Sequence, residues 1–504
     1  MLYLKPASFE EFERETTRGN VVPVVRAVLA DLQTPVGAFL RVAHEAEYSF
    51  LLESVEGGER VARYSFLGGT PEMVVRGRGD ATTVQRGATT ETLPRTRVTD
   101  FLRAHFDARR LAARPGLAPF AGGAVGYLAY DAARWFEPVL DEGRESARDD
   151  AVFMFYRTLL AFDRVRQQIE IISVVHTDEA AGSRARLREL YDAAVGETEQ
   201  IEHALLRGLA SAQLTRPRTH AADGRMPLRF TSNWTRAEFE RAVERVKEHI
   251  AAGDCYQAVL SQRLTTEVSA PPLEIYRALR ATNPSPYMFF LRLGAESIVG
   301  ASPEMLVRCR GAALEYRPIA GTRPRASDEA EDARLAAEMR ADAKEVAEHM
   351  MLVDLGRNDL GRVAEYGSVA VRELMTVERY SHVQHLVTGL GARLRAGADR
   401  FDALASCFPA GTVTGAPKVR AMQIVGELEP SPRGIYAGAI LYLDYAGNLD
   451  SCIAIRTMVL HDRQADIQAG AGIVADSVPA HEYEETLNKA RALLRAIELA
   501  ERGL

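Results

Sequence analysis

Between residues 36 and 90 apolar and polar positions alternate in short runs, VGAFLRVA, YSFLLESV, RYSFLGG and PEMVVRGRG, separated by glycine-rich turns. A period of two puts successive side chains on opposite faces of a sheet, so these runs predict antiparallel strands. Helical sequence and further strands follow as far as IEIISVVHTD, after which the chain becomes rich in Ala, Glu and Arg and reads as helix. It then enters TRPRTHAADGRMPLRF, where Pro217, Gly224 and Pro227 punctuate a stretch with few apolar residues. This shift predicts a boundary near residue 228, between an N-terminal region with a linker (1–228) and a C-terminal region (229–504).

The C-terminal region opens on a helix signal. Thr235 and Glu238 form a capping box ahead of Phe239, Val243 and Val246, which share one face. Helices and strands then alternate without a regular βαβ period, which predicts an α+β arrangement rather than a doubly wound sheet. No internal repeat occurs.

With 504 residues, 47% of them hydrophobic, the chain has material for large cores. Its 62 basic and 69 acidic residues give a net charge of -7 and are interspersed, leaving no basic footprint for nucleic acid. Cys255, Cys309, Cys407 and Cys452 are widely spaced and form no CxxC pair, so reduced thiols in a cytoplasmic compartment are expected. The N-terminus turns acidic before an apolar stretch develops, and Pro23 and Arg26 break the most apolar early segment. Neither a signal peptide nor a membrane span is expected.

Two acidic clusters carry candidate chemistry. In KEVAEHMMLVDLGRND, Glu345 and Glu348 share a helix face and His349 follows; this approaches the inverted zinc signature HxxEH, but Glu345 stands where the first His belongs. Carboxylates without imidazole or thiolate are hard ligands that suit Mg2+ better than Zn2+. The bland alternative is a solvated helix face. In HEYEETLNKARALLRAIELA, Glu482 and Glu485 share a face near a helix start after Pro479, where acids also favour the helix dipole. The two clusters form one oxygen-lined site only if their helices face each other.

GAGIVA at Gly470 fits GxGxxA formally, yet Ile473, Val474 and Pro479 cannot open the helix that a dinucleotide fingerprint requires. GTVTGAPK at Gly411 lacks phosphate-loop spacing before Lys418. Arg456 reads as a guanidinium inside the apolar strand SCIAIRTMVL, needing either a structural acid or a bound anion as partner. His382 and His385 read as neighbours on a helix face, a pairing more often structural than catalytic. Neither a GxSxG elbow nor a cysteine in a glutaminase setting occurs.

Taken together, NPSPYMFF, GASPE, PIAGTRPR, EHMMLVDLGRND, SHVQHL, GTVTGAPKVRAM, QAGAG and EYEETLNKARA resemble the chorismate-utilising enzymes, and within them the anthranilate synthase component I group. The likeness is strong from about 230 to 500 and weaker before, through FLLES and FAGGAVGY. It implies a two-part complex of antiparallel sheets flanked by helices, with catalysis in the C-terminal part. It implies Glu348 and Glu485 as Mg2+ ligands, with Glu345 and Glu482 as acids close by. The metal would clamp the ring carboxylate of chorismate. Arg456, Tyr436 and the amides of Gly470, Ala471 and Gly472 would hold the enolpyruvyl carboxylate, while Gly321 and Thr322 line the ring. Glu304 would be a protonated general acid toward the 4-hydroxyl, its pKa raised by burial. His385 would assist pyruvate loss, and Thr412 would touch substrate.

Within the family, enzymes that add water to C2 have lysine where this chain has Gln257, and aminodeoxychorismate synthases commonly have lysine where it has Ala320. The resemblance therefore implies amination of chorismate to anthranilate, the first step of tryptophan biosynthesis, with ammonia from a separate glutamine amidotransferase. It also implies feedback inhibition by L-tryptophan at Ser54, Pro286, Tyr287 and Met288. The alternatives are an aminodeoxychorismate synthase component I and a non-catalytic amino-acid-binding regulator of the same fold.

Overall fold

The computed structural model describes residues 1–54, 63–141, 148–207, 228–326, 328–379 and 383–503, the Thr322 side chain excepted. Its strands form two antiparallel sheets, of thirteen and twelve strands among the described residues. Each sheet has a seam that joins sequence from either side of residue 228. In the first, Tyr48–Glu53 pairs with Tyr287–Leu293, with Glu53 opposite Met288. In the second, Gly123–Leu128 pairs with Ala439–Asp444, with Tyr127 opposite Ile440. The linker expected ahead of 228 falls largely on 208–227, outside the described residues.

The sheets share an apolar core to which both regions contribute. AVFMFY, the strand Ala151–Tyr156, is apolar without alternation because both its faces are buried. Phe120 stacks on Tyr442 with ring centroids 4.6 Å apart, and Phe50 meets Tyr156 edge-on at 4.7 Å. Burying each such ring contributes about 1.5 to 3 kcal/mol; the Phe120–Tyr442 contact ties the two regions together, and Phe50–Tyr156 consolidates the N-terminal one. On the outer face of the first sheet, the helices Pro35–Val42, Pro272–Thr282 and Pro479–Arg502 set Phe39, Tyr276, Leu493 and Ile497 against Leu51, Phe290 and Ile467. Among the described residues no helix is long and apolar enough to cross a membrane.

The structure bears out most local readings and corrects three. YSFLLESV, RYSFLGG and PEMVVRGRG supply strands, the Thr235–Glu238 capping box is formed, and Pro479 is the first residue of the last helix. VGAFLRVA, expected as a strand, is helix Pro35–Val42: the Thr34 hydroxyl accepts from the Gly37 N–H at 3.0 Å and Pro35 presets the first turn. SHVQHL, expected as helix, feeds strand Val383–Arg393, which gains pairing partners on both edges from Ile319–Pro324 and Ala370–Arg379. His382 lies outside the described residues. Arg456 is not inside a strand: SCIAIRTMVL divides into Leu449–Ile453 of the second sheet and Thr457–His461 of the first, with Arg456 at φ +49 in the crossover.

Candidate active site

Arg456 is one of two neighbouring crossovers between the sheets. Glu304 is in the other, between strands Glu296–Ser302 and Met305–Arg310. The crossovers are tied together: the Ala301 N–H donates to the Arg456 carbonyl and the Ile453 N–H to the Glu304 carbonyl, both at 3.1 Å. Where the sheets part, a cavity of about 220 Å³ opens, lined by Glu304, Gly321, Glu348, His385, Thr412, Tyr436, Arg456, Gly470 and Gly472, with Gln257 and Lys489. Nine of the candidate site residues thus meet in one place, together with Gln257 and Ala320.

Glu304 is 6% exposed. Burial pushes its carboxyl up to about 8, against the opposing pull of the Thr412 hydroxyl and the Ile319 N–H, so at neutral pH it carries a proton. Thr412 Oγ approaches that carboxyl without completing a hydrogen bond of good geometry, and stays a buried hydroxyl without a partner among the described residues. The His385 Nδ1–H donates to the Gly321 carbonyl at 2.9 Å, which leaves Nε2 as the basic nitrogen. Burial lowers the His385 pKa and Arg456 adds to that, although the Gly321 carbonyl opposes it, so the ring is neutral.

Gly321 occupies φ +64 at an irregularity in the pairing with the His385 strand, and a Cβ there would lie 3.0 Å from Glu345 Oε2. Thr322 is opposite His385 in that pairing, but its side chain is outside the described residues. Gly470 and Gly472 lie on strand Gln464–Ile473; a Cβ on Gly470 would meet the Tyr436 hydroxyl at 2.7 Å and one on Gly472 the Gln257 amide at 2.5 Å. Ala471 between them is turned the other way, into an apolar cluster with Val243 and Leu260. Glycine at both flanking positions keeps the backbone open to the cavity.

Arg456 donates to the Lys489 carbonyl at 3.3 Å, and among the described residues no carboxylate forms a salt bridge with it. Burial lowers its pKa, with Tyr436 and Glu485 opposing. Such a cation on a cavity wall is suited to an anionic ligand.

The acidic clusters do face each other: Glu348 lies within electrostatic reach of Glu485 and Lys489, and Glu482 of Lys344, while of the four acids only Glu348 lines the cavity. The protein packed around Glu348 strips hydration from its otherwise exposed carboxylate and raises its pKa, as do Glu345 and Glu485, while Lys489 opposes them. Glu482 is raised by burial and by Glu485, with Ser477 opposing. Glu345 is held by Arg323 at 2.8 Å and does not line the cavity. Among the described residues no three His, Cys, Asp or Glu side chains converge as a closed metal cluster. Instead, like charges crowd together on two facing helices, an all-oxygen donor set that fits an ion retaining water and substrate ligands, as Mg2+ does. His349 points away from the cavity and shares a 2.6 Å hydrogen bond with Thr388, fixing the Glu348 helix to the His385 strand. Lys418 pairs with buried Asp359 at 2.8 Å, fixing the same helix to the start of helix Lys418–Leu428, which follows the Thr412 turn.

Lys489 was missed in sequence. Its ammonium lies 2.7 Å from Glu485 and donates to the Gly470 carbonyl at 2.9 Å, so it links the acidic helix to the glycine wall. The i,i+4 spacing of Glu485 and Lys489 is the signal that marks it.

Ser54, Pro286, Tyr287 and Met288 meet in a second cavity of about 360 Å³, lined also by Glu53, Arg308, Asp450 and Cys452. Tyr287 donates to Asp450 and accepts from Arg308, each at 3.2 Å, while the buried Ser54 hydroxyl has no partner among the described residues.

A family model described as chorismate binding enzyme matches residues 47–495. The chain is 46% identical over 491 residues to anthranilate synthase component 1 of Streptomyces coelicolor, covering 96% of this chain and 90% of that protein. It is 45% identical to the protein of the same name from Acetivibrio thermocellus, covering 95% and 96%. The crystal structure of anthranilate synthase component I from Streptococcus pneumoniae superposes with a TM-score of 0.72 at 34% identity, covering 93% of this chain and 99% of that one. With the motif residues gathered around one cleft and the likeness running nearly end to end, the chain belongs to the chorismate-binding enzyme family.

Proposed function

We propose that the chain is the aminating component of an anthranilate synthase, converting chorismate and ammonia to anthranilate, pyruvate and water. The observation that carries this reading is the pairing, in one cavity, of a protonated buried acid, Glu304, with the cation Arg456 and the acid Glu348, which Glu485 influences from the neighbouring helix. Glu348 and Glu485 would hold Mg2+, which supplies charge neutralisation for the ring carboxylate. Arg456, Tyr436 and the Gly470 and Gly472 backbone would receive the enolpyruvyl carboxylate. Glu304 then protonates the 4-hydroxyl as it departs and ammonia adds at C2. His385 Nε2 removes the C2 proton as the C3–O bond breaks, which makes the ring aromatic, and the enolpyruvate released takes up that proton at its methylene carbon to become pyruvate. A binder without turnover has no use for a protonated acid beside a neutral base, which favours catalysis over the regulator alternative.

The second cavity supports inhibition by L-tryptophan. Tyr287 and Met288 offer an apolar wall for an indole, and the Ser54 hydroxyl offers a polar group for the ligand's amino-acid end.

Ammonia would come from a separate glutaminase. All four cysteines are buried, and burial pushes the Cys309 thiol up to about 11 and the Cys407 thiol to about 12 and raises Cys255 and Cys452 as well, so none is a ready nucleophile. Such thiols also fit a reducing, cytoplasmic compartment. Purified chain given chorismate and Mg2+ is expected to form anthranilate with ammonium but not with glutamine. Turnover of glutamine with no second protein present would contradict the reading.

A further inference from the structure

Behind the cavity lies a buried charge that the proposed chemistry does not use. The Arg433 side chain is 1% exposed and that of Glu429 5%. Arg433 Nε and Nη2 each lie 2.8 Å from a Glu429 carboxylate oxygen. The remaining donors go to backbone carbonyls: Nη1 to Val413 at 2.7 Å and Nη2 to Val259 at 2.5 Å. Val413 follows Thr412, and Val259 is opposite Gly472 in the sheet. The guanidinium also lies 5.6 Å from the Tyr436 ring centre and 4.6 Å from that of Tyr130. Glu429 accepts in turn from the Ser261 N–H at 2.8 Å and its hydroxyl at 2.7 Å. The next residue, Gly434, is gripped by the N-terminal region: its carbonyl accepts from the Tyr130 N–H at 2.7 Å, and its N–H donates to Asp131 at 3.3 Å.

A buried ion pair is weak evidence for stability, because well-packed apolar residues of the same volume often serve as well. What the guanidinium adds is geometry. Its planar fork fixes several donor directions at once; here they reach the two segments that carry Thr412 and Gly472, while the guanidinium face lies near the Tyr436 ring. We infer that Arg433, oriented by Glu429, is a positioning residue that holds Thr412, Gly472 and Tyr436 in register around the substrate's carboxylate end. It touches no substrate and acts through the backbone of Val259 and Val413. This rests on the reading of the cavity as a chorismate site.

Two variants test it. Arg433→Lys keeps the charge but cannot reach both carbonyls in a fork, and the double variant Arg433→Met with Glu429→Leu removes both charges, leaving none buried and unpaired. Both are expected to give the parent's circular dichroism spectrum. Chorismate affinity measured by calorimetry with Mg2+ should weaken by about tenfold to a hundredfold, and anthranilate formation should fall chiefly through a raised KM. A folded variant with affinity, KM and kcat all within about twofold of the parent overturns the inference. So does a loss that only tracks the unfolded fraction. A parent that binds chorismate yet makes no anthranilate contradicts the functional reading instead, and the affinity comparison still decides the role of Arg433.

Discussion

Tyr287 and Ser302 face each other in register on neighbouring antiparallel strands, and the Ser302 hydroxyl lies 3.4 Å from the backbone nitrogen of Glu304. The wall of the second cavity is thus one cross-strand pair from the buried acid. A ligand that shifts Tyr287 has a short packed route to Glu304, and any coupling must be reciprocal. Tryptophan should therefore raise the chorismate concentration needed for turnover, and chorismate should weaken tryptophan binding by the same factor. Ser54→Ala or Met288→Thr should relieve inhibition and leave uninhibited turnover nearly intact. Calorimetry that detects no tryptophan binding to the parent would contradict this.

Glu304 sets a pH limit. Its folded pKa of about 8 is above the ordinary 4.5, so the acid form needed for proton donation disappears as pH rises through about 8, and turnover should fall on that alkaline limb. The same shift acts on stability: the group favours the fold fully below pH 4.5, and that contribution is lost as pH rises from 4.5 to about 8. Glu304→Gln should abolish most turnover yet melt higher than the parent at pH 8, as read by parallel melts and rate profiles. A parent that keeps full activity well above its predicted limb would remove Glu304 from the role of acid.

The facing acids separate by severity. Glu348→Gln and Glu485→Gln should each lower Mg2+-dependent turnover by more than about a hundredfold with the fold retained. Glu345→Gln and Glu482→Gln should cost about tenfold to a hundredfold, the range typical of groups that support a ligand. Titrating activity against Mg2+ for the four variants checks the order. Near-normal activity of Glu348→Gln at limiting Mg2+ would mean that the metal is held elsewhere.

Gly321 is a backbone prediction. Alanine at φ +64 costs about 1 to 2 kcal/mol, and its methyl would press on Glu345 and Met339. Because the Gly321 carbonyl also orients His385, Gly321→Ala should lose turnover as well as melting temperature. A loss confined to stability would show that this carbonyl has no part in placing the imidazole.

How far the sequence reaches is visible at particular residues. The strands around FLLES and the helices carrying both acidic pairs follow from local periodicity and capping. SHVQHL misled because histidines three apart fit a helix face, whereas pairing on both edges, a long-range fact, makes the segment a strand. Arg456 misled for a related reason: nothing local marks where an apolar run leaves one sheet for the other. Glu304, Glu348 and His385 are legible as motif members, but the facing of the acidic helices, the turn of Ala471 away from the cavity and the bracing by Arg433 depend on packing that no single segment encodes.

The most direct measurement of the central claim is fluorescence on mixing the purified chain with chorismate, Mg2+ and ammonium. The account predicts the steady appearance of anthranilate, abolished by Glu304→Gln and by omission of ammonium. Accumulation of aminodeoxychorismate with no fluorescent product, or no consumption of chorismate at all, would contradict it.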